Sequence, residues 1–236
     1  MDSTSIPKAG FFDSGIGGTC ILEAFKRLCP DVPTVYIADS ANCPYGNKPA
    51  EEIVRLCEAN TRKLLGQGCK LIVVACNTAT AAAIDYLRAK HPTVPFVGIE
   101  PAVKPAALRS KSGVVAVLAT QGTFNGRLYR ETSARFAKGV TILATVADEF
   151  VLEVEKLRGV KVTQLQGARL ARLERIVRKR IEPLIAAGAD HIVLGCTHFP
   201  HLKPLIEKVA AGRATVVDPS EAVARQAKKL WEKLTT

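Results

Sequence analysis

The sequence predicts an α/β protein made of two related domains, each with a mainly parallel sheet, facing each other across a central cleft. Three observations carry this expectation. Apolar runs of strand length alternate with longer stretches of helical period along the whole chain. The runs are continuous, as in Leu71-Ile72-Val73-Val74-Ala75, which suits strands covered by helices on both faces rather than half-exposed ones. Finally, residues 70–78 align without a gap to residues 190–198, and each copy places a cysteine just beyond its apolar strand, Cys76 in one and Cys196 in the other.

Taken in order, strands are expected over residues 9–12, 34–37, 71–75, 96–99, 114–118, 141–144, 191–194 and 214–217. The intervening stretches 18–28, 50–65, 80–90, 126–136 and 170–187 carry the helical period. Pro204 and Pro219 sit near helix starts, where proline is tolerated. A domain boundary is expected at Glu100-Pro101, ahead of Pro105. The last strand and the final helix then return to the first half, giving a first domain of residues 1–100 plus 213–236 and a second of residues 101–212. In open α/β sheets, ligands lie beyond the carboxyl ends of the strands, so both cysteines stand where such sites form. If the halves face each other, so do the thiols.

With 236 residues the chain can bury a core without disulfides or metal. Seven cysteines, at 20, 29, 43, 57, 69, 76 and 196, are odd in number and irregular in spacing, which fits a reducing compartment with most thiols acting as small core groups. No stretch reaches the length of a membrane span, and residues 1–10 lack the basic start and apolar run of a leader, so a cytoplasmic protein is expected. The net charge of +11 is uneven: residues 1–100 hold ten basic and ten acidic side chains, and the excess lies beyond them. Its densest piece runs from Arg169 through Arg172, Arg175 and Arg178 to Arg180. This row reads either as a polyanion or nucleic-acid surface or, since no aromatics interleave, as a solvated helix face.

The residues with chemistry sit after the strands. Asp13-Ser14-Gly15-Ile16-Gly17-Gly18 follows the first strand and opens the first helix. It lacks the Gly-Lys-Ser/Thr of a nucleotide loop and suits a carboxylate cradle, with Asp13 as an acid, an ammonium partner or simply a helix cap. Pro44-Tyr45-Gly46 lies in a turn after the second strand. Asn77 and Thr78 follow Cys76, Thr197 and His198 follow Cys196, and Thr120 to Thr123 form a further polar rim loop. Helix starts behind both cysteines would supply free amides and a positive dipole end, lowering the thiol pKa and attracting carboxylates. Cys196, His198 and His201 offer donors for a metal, but no second cysteine pair or adjacent carboxylate completes a closed site. His198 beside a thiol is more simply a proton-transfer partner.

These motifs, in this order, resemble the glutamate racemases of the aspartate/glutamate racemase superfamily: Phe12 to Gly18, Ala38-Asp39-Ser40, Pro44-Tyr45-Gly46, Ala75 to Ala79, Ala119 to Thr123 and Gly195 to Pro200. The resemblance runs from about residue 9 to residue 220. It implies two α/β domains enclosing a cleft and no pyridoxal phosphate, metal or nucleotide cofactor. It makes Cys76 and Cys196 the two bases, with Asp13 and His198 as their auxiliaries. Asp13, Ser14, Pro44, Tyr45, Gly46, Asn77, Thr78, Thr120, Thr123, Thr197 and His198 become substrate contacts. It further implies glutamate as substrate, a supply of D-glutamate for peptidoglycan and a homodimer. No long extension precedes the first motif, so regulation through one is not expected.

The chain departs from the family over residues 146–155, where a Cys-Pro segment running into Val-Glu is usual. Glu155 holds the place of the supporting carboxylate, with Asp148, Glu149 and Glu153 as neighbours that could shift the match or leave only solvated acids on a helix. Cys43 is read as incidental, though it lies close enough to the rim to be a reactive thiol. Two other functions remain open on these residues alone. One is the same two-thiol chemistry on aspartate or another acidic amino acid. The other is an inactive relative that binds polyanions, whose binding would weaken steeply with salt and survive Cys76→Ser.

Overall fold

The computed structural model describes residues 6–136 and 139–235; the first five residues of the expected N-terminal segment lie outside these. In chain order the elements are β1 (Lys8–Asp13), α1 (Thr19–Leu28), β2 (Thr34–Ala38), α2 (Ala50–Gly66), β3 (Cys69–Val74), α3 (Asn77–Lys90) and β4 (Phe96–Gly98). Then come α4 (Val103–Arg109), β5 (Val114–Ala119), α5 (Gln121–Phe124), α6 (Arg127–Phe136), β6 (Thr141–Val146), α7 (Asp148–Glu155), α8 (Gly167–Ala186), β7 (His191–Gly195), α9 (Lys203–Ala210), β8 (Thr215–Val217) and α10 (Ser220–Thr235).

The strands form two four-stranded sheets, ordered β2-β1-β3-β4 and β6-β5-β7-β8, and every pairing is parallel. The two orders are the same once the strands are renumbered from the start of each half. The repeated segments occupy the matching third positions, β3 and β7, so the sequence echo is a topological one. Both sheets are covered on both faces, as the continuous apolar strands require. On β1, Phe11 packs with Ile21, Phe25, Ala227 and Trp231 of α1 and α10. Its neighbour Phe12 points the other way, onto Ile53, Cys57, Ala83 and Leu87 of α2 and α3. On β5, Ala116 and Leu118 join Val154, Val177, Ile181 and Ile206, whereas Val115 and Val117 meet Val103 and Ala106 of α4.

One part of the expected division is corrected. Residues 214–217 do not return to the first half: β8 pairs with β7 in the second sheet, and only α10 crosses back to pack on α1 and β1. Short turns tie α9 to both strands, so the β7-α9-β8 unit makes a parallel crossover to the adjacent position, as β3-α3-β4 does in the first half. The chain therefore changes halves after Val217.

Among the described residues no helix is long and apolar enough to cross a membrane. The basic row on α8 is largely engaged within the protein: Arg172 makes two bonds to Glu153, Arg178 pairs with Glu182, Arg180 pairs with Glu149 and Arg169 donates to the Lys156 carbonyl. Its charges balance carboxylates on α7 and α8, which favours the solvated-face reading over a polyanion surface.

Candidate active site

Ser14, Pro44, Tyr45, Gly46, Cys76, Asn77, Thr78, Thr120, Cys196 and His198 all line one cavity between the carboxyl ends of the two sheets, together with Val151. The two thiols enter it from opposite halves, each just past its strand, because the parallel sheets place equivalent strand ends toward the same opening. The remaining expected residues stand behind this lining. Thr123 bonds Thr120 at 3.0 Å, which in turn bonds Thr78 at 2.9 Å across the halves. Thr197 donates to Asp13 at 3.4 Å.

The two cysteines differ in the backbone behind them. Cys76 caps α3 directly, its sulfur accepting from the Ala79 amide at 3.5 Å. Cys196 leads into a turn and then a short 3-10 helix, with proline at its start, before α9 begins at Lys203. The helix start behind Cys196 is thus a short 3-10 turn rather than an α-helix, with Pro200 in its first turn, where the missing amide costs no ladder bond. The expected lowering at Cys76 is overturned. Burial, reinforced by the charge of Asp13, pushes its thiol well above the ordinary value, and the opposing amide bond of Ala79 does not compensate.

Asp13 is fully buried. Burial raises its carboxyl above the ordinary range, against the opposing charge of His198 and a bond from the Gly18 amide. That amide reaches Oδ2 at 2.9 Å. His198 is nearly inaccessible, and burial alone would favour the neutral ring. Hydrogen bonding to Cys196, Cys43 and Glu155 overrides it and holds the imidazole well above its ordinary value, hence protonated. Its Nε2 donates to Glu155 Oε1 at 2.6 Å and its Nδ1 faces the Cys196 sulfur at 3.8 Å. Burial tends to raise the Glu155 carboxyl, but the bonds from His198 and the Ile16 amide outweigh it and hold the pKa below the ordinary value.

The glycine-rich loop works differently from the expected cradle. Its Ile16 amide bonds Glu155 at 2.8 Å and its Gly18 amide bonds Asp13, so the protein's own carboxylates take these donors. The glycines provide closeness. A side chain at Gly15 would lie 2.0 Å from Glu155 Oε1, and one at Gly17 would lie 2.5 Å from His198 Nδ1 and 2.7 Å from its backbone nitrogen. Glycine at these positions lets the first half press against the second at the site.

Several placements were not foreseen. Val151, on α7, gives the cavity an apolar wall. Asp39 accepts from the Tyr45 hydroxyl at 2.6 Å and from Asn42 at 2.8 Å, so these bonds order the loop that carries Tyr45. Cys43 converges with Glu155 and His198. His201 turns to the Gly17 carbonyl, Thr19 and Cys20, so the alternative metal set of Cys196, His198 and His201 does not assemble.

Two parallel-sheet α/β halves, each delivering one thiol to a shared cleft, define the architecture of the racemase class. The chain belongs to the Asp/Glu/Hydantoin racemase family, whose model matches residues 19–227. It is 42% identical over 231 residues to a glutamate racemase of Ectopseudomonas mendocina, covering 98% of this chain and 84% of that one. It is 45% identical over 221 residues to a glutamate racemase of Herpetosiphon aurantiacus, covering 94% and 83%. The Escherichia coli glutamate racemase solved with L-glutamate and the activator UDP-MurNAc-Ala superimposes with a TM-score of 0.80 at 35% identity, over 96% of this chain and 83% of that one.

Proposed function

We propose that this protein is a glutamate racemase, a cofactor-independent isomerase that interconverts L- and D-glutamate with Cys76 and Cys196 as opposed acid and base. The observation that carries the reading is one thiol from each half in the same cavity. Racemisation takes the α-hydrogen as a proton from one face of the substrate and returns a proton to the other. One thiolate and one thiol on opposite sides therefore suffice. The two thiols sit in unlike settings that suit such a pair: the His198 ring lies against the Cys196 sulfur at 3.8 Å, while burial and Asp13 keep Cys76 a thiol. In the reverse direction Cys76 must lose its proton, and the raised basicity of buried Asp13, within hydrogen-bonding range of it, suits that carboxylate to receive it.

The carbanion formed between the thiols adds charge beside a carboxylate. Asn77 and Thr78, which line the cavity, form the first turn of α3, whose amides have no helical partner, and Ser14, Thr78 and Thr120 add hydroxyls. These groups, with Tyr45 and Gly46, are the proposed substrate contacts, backed by Thr123 and Thr197. Glutamate is favoured over other acidic amino acids because the relatives named above carry that activity in their names and one was solved with L-glutamate. The proposed setting is the cytoplasm, as a homodimer, supplying D-glutamate for peptidoglycan.

The test is incubation of the purified protein with L-glutamate, and separately L-aspartate, in D₂O without added cofactor, read by circular dichroism and by mass analysis of α-deuterium. Signal loss with deuterium uptake on glutamate is expected. Exchange on aspartate alone would change the substrate, and exchange on neither would overturn the proposal.

A further inference from the structure

A cluster that the racemisation chemistry does not use as a unit lies beside the thiols. One donor atom each from Cys43, Glu155 and His198 lies within 4.8 Å of the other two. Thiolate, carboxylate and imidazole are all ligands of zinc, and three protein ligands with an open fourth position make an ordinary zinc geometry. Tetrahedral bonds of zinc to sulfur, nitrogen and oxygen set donor separations of about 3.3–3.6 Å. Glu155 Oε1 and His198 Nε2 lie closer than this, at 2.6 Å, so the carboxylate would meet a cation through its other oxygen.

The surroundings favour such a site. Gly15 has no side chain, and one there would clash with Glu155 and lie 3.2 Å from the Cys43 sulfur, so glycine is what lets these two groups come together here. The two bonds described for Glu155 both fall on Oε1; Oε2 can take a cation while Oε1 keeps the Ile16 amide. Cys43 and Glu155 are half-buried and His198 is buried, so solvent reaches the first two groups of the cluster.

We propose that Cys43, Glu155 and His198 form a binding site for zinc or a similarly thiophilic divalent cation, and that occupancy arrests racemisation. Binding displaces the Cys43 thiol proton and the His198 imidazolium proton to the buffer, with no change of oxidation state. A cation on the ring competes with the contacts His198 makes to Glu155 and Cys196, so the imidazole is withdrawn from the reacting site. The cation also ties the loop of Cys43 in the first half to Glu155 and His198 in the second. The arrest rests on the proposed racemase activity; the binding does not.

The experiment uses untagged, metal-free protein reduced with a non-chelating phosphine. Zinc affinity is measured by competition with a chromophoric chelator, and glutamate racemisation is followed in parallel. Wild type is expected to take up one zinc per chain and lose activity, which excess chelator restores. Whatever activity Cys43→Ala retains is expected to resist zinc, and the variant to bind the metal at least about tenfold more weakly, the low end of what even an outer-shell partner supplies. A thiolate-to-cobalt charge-transfer band in the cobalt(II) protein should disappear in the same variant. Equal zinc binding by Cys43→Ala, with zinc then held by other thiols such as Cys76 and Cys196, overturns the proposal, as does a wild type that binds none. A protein that binds zinc through Cys43 but racemises nothing would keep the site and remove the arrest.

Discussion

Glu155→Gln isolates the electrostatics of the site with little change of shape. The amide oxygen of glutamine can still accept from Ile16, as Glu155 does at 2.8 Å, but the negative charge that holds the His198 imidazolium at 2.6 Å is gone. An opposite charge at such a distance shifts a titration by about 1–3 units. His198 should therefore titrate at least about one unit lower in the variant, about 1.4 kcal/mol of lost preference for the protonated ring. Nitrogen-15 spectra of the labelled imidazole across pH read this directly, and the limb of the pH–rate profile that requires the imidazolium should move down in step. Stability depends on the same pair. Glu155, lowered by its partners, contributes above the unfolded carboxyl value of about 4.3. That contribution is lost as pH falls through the folded value. His198, raised by its partners, contributes fully below about 6.5. That contribution is lost as pH rises through its folded value. The stability gap between wild type and Glu155→Gln should thus be widest between about pH 4.5 and 6.5, at about 1.5–3 kcal/mol, and narrow on either side. An unshifted His198 titration would refute the account of how this carboxylate sustains the charge.

Five further substitutions separate the other parts of the site. Cys76→Ser and Cys196→Ser should each lower racemisation by at least about a hundredfold, since each removes an acid/base group rather than packing volume; unaltered turnover with a native circular dichroism spectrum in either would sink the two-thiol mechanism. Asp13→Asn should slow the direction in which Cys76 accepts the α-proton more than the other, and His198→Asn should do the converse. Initial rates from each enantiomer check this, with equal losses in both directions counting against separate roles. Gly17→Ala forces a Cβ to 2.5 Å from His198 Nδ1 and should cost about 1–3 kcal/mol as well as turnover; a melting temperature and kcat like wild type would show that close approach is not what the loop requires.

Much of this was legible in the sequence because it depends on local pattern. Continuous apolar strands such as residues 71–75 require cover on two faces, and the repeat at 70–78 and 190–198 reveals two halves with cysteines at matching strand ends. Motif order and the resemblance it supports pointed to the residues that now line the cavity. Other features needed the assembled molecule. The partner of an edge position is a long-range choice, so the return point of the chain could not be read, and β8 joined the sheet already built by β7. A thiol's proton affinity depends on how much water the fold removes, and for Cys76 burial and the nearby Asp13 reverse what a helix start alone suggests. The glycines of residues 15–18 look like a ligand cradle in one dimension. In three they are the surface on which Glu155 and His198, far away in sequence, come close enough to share a proton network. The order of residues determines which groups exist and which strand ends carry them; only packing decides which charges face one another, because Coulomb and desolvation energies depend on distances that no spacing along the chain encodes.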